Sequence, residues 1–164
     1  LAVAVGHEFG RARHIDAVDV RVAHGRRGRG EVDLAGAGFA SHFDDLARQW
    51  WDENGDFKAL HRINPARIHY ILDRLRRHFG IAAGARAPLT GLAIIDIGCG
   101  GGILAEAMAH HGARVTAIDM ADASLAVARL HRLESKLDID YQKVSAEKSH
   151  IILCRQYYRD WKIC

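Results

Sequence analysis

A cluster of glycines follows an apolar run in the segment IIDIGCGGG, residues 94–102. Glycine has no Cβ, so a turn that contains four of them lets a ligand approach the backbone closely. One acid, Asp96, precedes the turn, and a second, Asp119, comes 19 residues after Gly100. A glycine turn followed by an acid at this distance is typical of sites for adenosine-containing cofactors, because the acid can accept hydrogen bonds from ribose hydroxyls.

The pattern around the turn separates two kinds of cofactor. A dinucleotide fingerprint has glycines at its first, third and sixth positions; Gly98 and Gly100 supply the first two, but Ile103 stands at the sixth. Asp96 places a carboxylate beside the turn, which disfavours a pyrophosphate and favours a cation. S-adenosylmethionine has no phosphate and carries a sulfonium and an ammonium, so the sequence favours it over NAD. An alternative in which Asp96 caps backbone amides of the turn stays open.

Two further residues at the turn carry weaker signals. Met120 follows Asp119 and is a candidate to cover the adenine ring, although simple packing explains it equally well. Cys99 has no cysteine or histidine at metal-ligand spacing and no paired base, so we predict neither a nucleophile nor a metal site. Its small size in a tight turn is a sufficient reason for its presence.

Hydrophobic periodicity predicts the elements that position the turn. Strands and helices alternate, with strands at 92–97, 113–119 and 139–144 and helices at 103–111 and 122–136. Asp122 is predicted to cap the second of these helices. The order is the βαβαβ half of a doubly wound, Rossmann-like α/β sheet, and it places the glycine turn at the carboxyl end of the first strand, where such sheets bind ligands.

Two helices are predicted before the sheet. The first covers residues 41–50, with Ser41 as its cap, and its apolar face consists of Phe43, Leu46, Ala47 and Trp50. The second has Asn64 as its cap, Pro65 at its first helical position and Gly80 as its terminator. Its apolar stripe consists of Ile68, Ile71, Leu72, Leu75 and Phe79. We expect these helices to form an N-terminal lid on the sheet.

The two ends of the chain lack such patterns. Residues 1–38 contain seven glycines and six arginines, and we predict loop or disorder, or a non-native segment, for them. Residues 148–164 form a divergent tail. The coherent domain therefore runs over residues 39–147.

The composition indicates a single soluble domain, since 49% of the 164 residues are hydrophobic and 26% are charged. The three cysteines are an odd number without a secretory signal, which indicates reduced thiols and a cytoplasmic location. No apolar run approaches the roughly 18 residues of a membrane span.

Basic residues are concentrated in one stretch, residues 58–86, which holds seven lysines and arginines against the single acid Asp73. Two interpretations stay open: a solvated helix face, the usual meaning of such a run, or contact with an anionic surface at the periphery of the inner membrane. Nucleic acid is not expected, because the nearby aromatic residues fall on the apolar stripe of the helix.

Three segments together resemble a known family. WWDENGDFKALHRINPARIHYI, IIDIGCGGGILAEAMAHHGARVTAIDM and LHRLESKLDIDY, in this order, are similar to the ubiquinone-biosynthesis O-methyltransferases, which are class I S-adenosylmethionine-dependent enzymes. The resemblance runs from about Phe39 to Glu147. It implies methyl transfer from S-adenosylmethionine to a phenolic oxygen of a polyprenyl catechol or demethylubiquinol.

The resemblance also implies roles for matching positions. Gly98 would meet the methionine part of the cofactor, Asp119 the ribose, and Arg67 the cofactor carboxylate, with an exposed helix residue as the alternative for Arg67. Trp50 and Trp51 would pack the lid on the sheet. The catalytic residues stay unknown, because the acidic segment that supplies them in the family has no match here.

The chain departs from the family after Glu147. Only three strands are written, and the segment HIILC follows too soon to include the usual helix before a fourth. We therefore expect a truncation or frameshift, an inactive fragment, and an unpaired edge on the first strand. Alternatives are another class I small-molecule methyltransferase, a non-catalytic S-adenosylmethionine-binding module and a dehydrogenase.

Overall fold

The computed structural model describes residues 2–9, 12–18 and 48–148 of the chain. Its strands are β1 (Ala2–Phe9), β2 (Ala12–Val18), β3 (Leu92–Ile97), β4 (Arg114–Asp119) and β5 (Ile139–Lys143). Its helices are α1 (Lys58–Phe79), α2 (Ile103–His110) and α3 (Asp122–Ser135), followed by a 3₁₀ turn at Ala146–Lys148. The predicted βαβαβ order from 92 to 144 is thus present.

One five-stranded sheet, in the order β2-β1-β3-β4-β5, organises the described residues. β3, β4 and β5 pair in parallel, with Ile94 opposite Val115 and Val115 opposite Ile139. These β-branched residues belong to the main core cluster, which the three helices complete. The parallel half of the sheet therefore receives its helices on the face that carries Ile94.

Residues of β3 alternate between the two faces of the sheet. Ile94 lies in the main cluster with the helices, whereas Ile95 packs with Ile118 in a second, smaller cluster. By the same alternation Asp96 lies on the face of Ile94, beneath the helices. The strand therefore delivers one carboxylate into the apolar layer.

Helix α1 packs as its periodicity predicts. Ile71, Leu72 and Leu75 are buried, and Ile68 and Phe79 pack partly buried against the same core. The helix ends at Gly80, which adopts a φ of 63° and donates its N–H to the carbonyl of Arg76. A left-handed glycine is a common way to end a helix, and it confirms the predicted terminator.

The predicted start of α1 is wrong. The helix begins at Lys58, so Pro65 lies inside it and Asn64 is not its cap. Asn64 instead donates its side-chain amide to the carbonyl of Ile103, at 3.3 Å. The side chain that we predicted to cap α1 thus makes a tertiary hydrogen bond to the first residue of α2 instead.

The predicted cap of α3 also differs. Ala121 is the cap residue, and Asp122 lies in the first turn of the helix, where its carboxylate pairs with Lys143 of β5. An acid in the first turn still interacts favourably with the helix dipole. Of the predicted helix at 41–50, only residues 48–50 are described; all three are helical, and the helix continues to residue 51.

The amino-terminal strands differ from the loop or disorder that we predicted for residues 1–38. β1 pairs antiparallel with β2 on one side and with β3 on the other, where Ala4 lies opposite Ile95. The β3 edge that we expected to be unpaired is therefore covered. The glycine and arginine content of this segment is typical of a loop. The pairing of β1 with β3 is long-range, and such a pairing leaves little pattern in the local sequence. The HIILC segment lies outside the described residues.

We expect that replacing Val5 with proline increases the self-association of the protein. Val5 pairs with Asp16 on one side and Ile94 on the other, so proline removes a backbone N–H from a strand with two neighbours. The exposed β3 edge would then be open to a second chain. Light scattering after size exclusion, over a range of protein concentrations, measures the mass. Val5→Thr, which keeps the N–H and the branched side chain, should match wild type; equal masses for Val5→Pro and wild type would contradict the expectation.

Candidate cofactor-binding site

The glycine turn lies at the carboxyl end of β3, where its backbone is tied to β4. The N–H groups of Gly98 and Cys99 both donate to the carbonyl of Ile118, at 2.8 and 3.0 Å. Gly98 and Gly100 have φ values of 77° and 56°, in the left-handed region that favours glycine. The turn is thus fixed by strand pairing below it and by backbone conformations that other residues rarely adopt.

Most of the glycines make room for side chains of the protein itself. A Cβ at Gly100 would lie 2.9 Å from the indole of Trp50, and one at Gly101 would overlap the same ring. A Cβ at Gly102 would overlap the hydroxyl of Tyr141. Only at Gly98, of these four, would a Cβ meet nothing within 4 Å. Gly98 is therefore the glycine that faces open space beside the turn.

Asp96 is fully buried, and neither carboxyl oxygen has a hydrogen-bond partner among the described residues. Burial raises its pKa to about 6, and the positive charge of Arg67 opposes that rise. Burial also lowers the pKa of Arg67, while Asp96 raises it. A buried carboxylate with unsatisfied oxygens is costly, so the site is built to receive a hydrogen-bond donor or a cation.

The capping role considered for Asp96 belongs to Asp119. One carboxyl oxygen of Asp119 accepts from the N–H of Gly100 at 2.8 Å, and the other accepts from the N–H of Ala121 at 2.9 Å. Asp119 therefore joins the end of β4 to the turn after β3. Each carboxylate oxygen accepts more than one hydrogen bond, so the side chain retains capacity for a ligand hydroxyl.

The remaining predicted residues lie around this point. Met120 is 57% exposed directly after Asp119. Cys99 is buried, and desolvation together with the charge of Asp96 raises the pKa of its thiol, which keeps it neutral. Across the described residues no group of three or more potential ligands is arranged for a metal ion.

A second polar cluster, which the sequence did not reveal, lies beside the turn. Trp51 stacks on His131 of α3 with a centroid separation of 3.5 Å and an interplanar angle of 4°. His131 in turn pairs with the buried Glu106 of α2. The three members of this cluster, Trp51, Glu106 and His131, are far apart along the chain. No rule of sequence spacing could therefore connect them. A cavity of about 630 Å³ borders the cluster.

Comparisons with known proteins agree with this arrangement. Residues 94–154 match the family model described as a methyltransferase domain. Over 111 residues the chain is 49% identical to the ubiquinone biosynthesis O-methyltransferase of a Chelativorans species. This aligned region covers 68% of this chain and 44% of the relative. The proteins of the same name from Stutzerimonas stutzeri and Nitrosococcus oceani are 51% identical over 105 and 106 residues, covering 64% and 65% of this chain and 40% of each relative.

Among solved structures, a magnesium protoporphyrin IX methyltransferase from Synechocystis aligns over 65% of this chain and 50% of its own, at a TM-score of 0.44 and 20% identity. That likeness is too weak to support a conclusion.

The sequence comparisons confirm the predicted family resemblance and the methyltransferase class of domain. The parallel order of β3, β4 and β5 agrees with the predicted Rossmann-like fold. The chain spans about two fifths of the length of the curated relatives it matches. No helix within the described residues combines the length and hydropathy needed to cross a bilayer.

The raised pKa of Asp96 predicts a pH-dependent stability. The folded carboxyl keeps its proton up to a pH of about 6, whereas an unfolded aspartate loses it near about 4, so stability falls as the pH rises between these values. Asp96→Asn stays neutral and lacks this fall. The free energy of unfolding of Asp96→Asn, relative to that of wild type, should therefore rise by up to about 3 kcal/mol between pH 4 and pH 7.

Urea unfolding of both proteins at several pH values checks this expectation. Asp138→Asn, a change at an exposed aspartate, serves as the control and should follow the wild-type curve. A difference between Asp96→Asn and wild type that stays constant with pH would contradict a buried carboxyl of raised pKa.

Proposed function

We propose that residues 48–148 form the cofactor-binding part of an S-adenosylmethionine-dependent O-methyltransferase whose acceptor is a phenolic oxygen of a polyprenyl catechol or quinol. The observation that carries the proposal is the fully buried Asp96, whose two carboxyl oxygens have no hydrogen-bond partner in the described part of the chain. Such a carboxylate at the end of a parallel strand favours a cationic ligand over a pyrophosphate.

The pair of charges beside the turn matches one end of S-adenosylmethionine. That end carries an ammonium and a carboxylate, and Asp96 and Arg67 offer the complementary charges within interaction range of each other. Arg67 has a buried Nε without a hydrogen-bond partner among the described residues, so it too has a donor to offer. An arginine is well suited to a carboxylate because its planar fork can pair with both oxygens.

The other predicted residues complete the cofactor contacts. Gly98 leaves open space for the ligand, Asp119 would accept from ribose hydroxyls, and Met120 would cover the adenine. Gly100 acts through its N–H, which holds Asp119 in place. When bound, S-adenosylmethionine supplies an electrophilic methyl group on its sulfonium; the protein's part is to align it with the phenolic oxygen.

The substrate is proposed from the names of the relatives, which the chain matches over about two fifths of their length. A phenol must lose its proton as it accepts the methyl group, and we assign no described residue to that step. We therefore expect the 164-residue chain to bind the cofactor without transferring methyl efficiently. We also propose that the protein is cytoplasmic and that α1 contacts the surface of the inner membrane.

Ligand binding by the full chain tests the function. S-adenosylmethionine should raise the thermal midpoint of unfolding, and NADH should not. In calorimetric titrations, Asp96→Asn should lower the affinity for S-adenosylmethionine at least about tenfold, since it removes a charge-assisted contact. Asp138→Asn should bind as wild type does.

The outcome that would overturn the proposal is stabilisation by NADH without stabilisation by S-adenosylmethionine, which would indicate a dehydrogenase. Turnover of a catechol with the labelled methyl donor, measured in parallel, would contradict the expectation of an inactive fragment while supporting the methyltransferase assignment.

A further inference from the structure

We propose that Glu106 and His131 are positioning residues for the cofactor turn, because they hold Trp51 and thereby the adjoining Trp50 in place against it. The inference rests on the proposed function for its link to S-adenosylmethionine. Glu106 meets the turn only through its backbone N–H, which donates to the carbonyl of Gly102 at 2.9 Å; the proposed effect of the two side chains passes through the two tryptophans.

The first contact fixes an imidazole between two helices. Glu106 is 3% exposed on α2, and its Oε1 accepts a hydrogen bond from Nδ1 of His131 on α3 at 2.9 Å. This contact directs Nδ1 of the ring toward Glu106 and so sets the orientation of the imidazole. The buried acid therefore determines where the flat face of His131 lies.

The second contact uses that face. The ring of Trp51 lies parallel to His131 with a centroid separation of 3.5 Å, and His61 of α1 meets the same indole edge-on at 5.9 Å. Stacked and edge-on aromatic pairs both stabilise beyond the area that they bury. Trp51 is thus held between α1 and α3, outside the main core cluster.

The third contact transmits the position to the turn. His61 donates from Nε2 to the backbone carbonyl of Trp50 at 2.9 Å, and the indole of Trp50 stacks on Phe57 at 4.1 Å. The same indole occupies the space beside Gly100 and Gly101 that a Cβ would fill. A displacement of Trp51 would therefore move the ring that covers two glycines of the cofactor turn.

The chain directly after the two tryptophans is exposed. Residues 52–54 and 56 face solvent, and a cavity of about 630 Å³ opens beside Trp51 and His131. The stack on His131 therefore fixes Trp51 at the border of this cavity, and it acts together with the contacts that Trp50 makes with His61 and Phe57.

Variants of the positioning pair test the proposal, in a Trp161→Phe background so that Trp50 and Trp51 are the remaining tryptophans. His131→Ala removes both the stack and the hydrogen bond. We expect it to lower the affinity for S-adenosylmethionine by about threefold to tenfold, which is the fold-change that the loss of an aromatic pair corresponds to. We also expect it to increase the quenching of tryptophan fluorescence by acrylamide. His131→Phe restores a flat ring and should recover most of both effects. Glu106→Gln keeps an acceptor for Nδ1 and should stay close to wild type.

Ile139→Val is the control, because Ile139 is fully buried on β5 in the main core cluster, to which neither tryptophan belongs. It should lower the free energy of unfolding and leave cofactor affinity and quenching unchanged. Equal effects of His131→Ala and Ile139→Val on affinity and quenching would overturn the proposal, since they would show that lost stability is the common cause.

The quenching measurement separates this proposal from the function on which it rests. If the parent protein binds no S-adenosylmethionine but His131→Ala still exposes the tryptophans and His131→Phe protects them, the positioning role stands and the proposed function fails. If the parent binds the cofactor and His131→Ala changes neither affinity nor quenching, the positioning role fails alone.

Discussion

The buried carboxyl of Asp96 is the constraint on which the site depends. It lies on the helix-covered face of β3 because strand residues alternate, and its burial costs free energy that Arg67 offsets only in part. Folding alone gives no reason to place in an apolar layer a carboxyl that has no hydrogen-bond partner among the described residues, where asparagine or an aliphatic residue would cost less. The cationic ligand that we propose would supply the reason, since it would convert the cost into affinity.

The glycine turn serves packing within the protein, and in the proposed function it also serves binding. Gly100, Gly101 and Gly102 accommodate the indole of Trp50 and the hydroxyl of Tyr141, while Gly98 leaves space open. Asp119 holds the turn through the N–H of Gly100. Three of the four glycines are therefore explained by packing within the protein. Because Trp50 lies against Gly100 and Gly101, the packing of the segment before α1 also shapes the turn.

Local pattern predicted the parallel half of the fold well. β3, β4 and β5 and the stripe of α1 carry their periodicity within a few residues, and Gly80 ends its helix as expected. The failures are long-range. Asn64 has the local signature of a cap, but the carbonyl of Ile103 takes its side chain. The pairing of β1 with β3 joins residues about 90 positions apart, and the stack of Trp51 on His131 joins two elements separated by the whole first crossover. No window of sequence contains such contacts. The capping alternative for Asp96 could likewise be decided only from the fold, in which Asp119 accepts from the turn.

The pKa of Asp96 with and without cofactor tests the central claim most directly. Carbon-detected NMR of the labelled carboxyl group in the full chain, titrated between pH 3 and pH 8, would follow this one group. The account predicts a pKa of about 6 in the free protein and a clear fall when saturating S-adenosylmethionine supplies a cation beside the carboxylate. A pKa that is the same in the free and saturated protein would contradict the account, because Asp96 would then not be the group that meets the positive charge of the ligand.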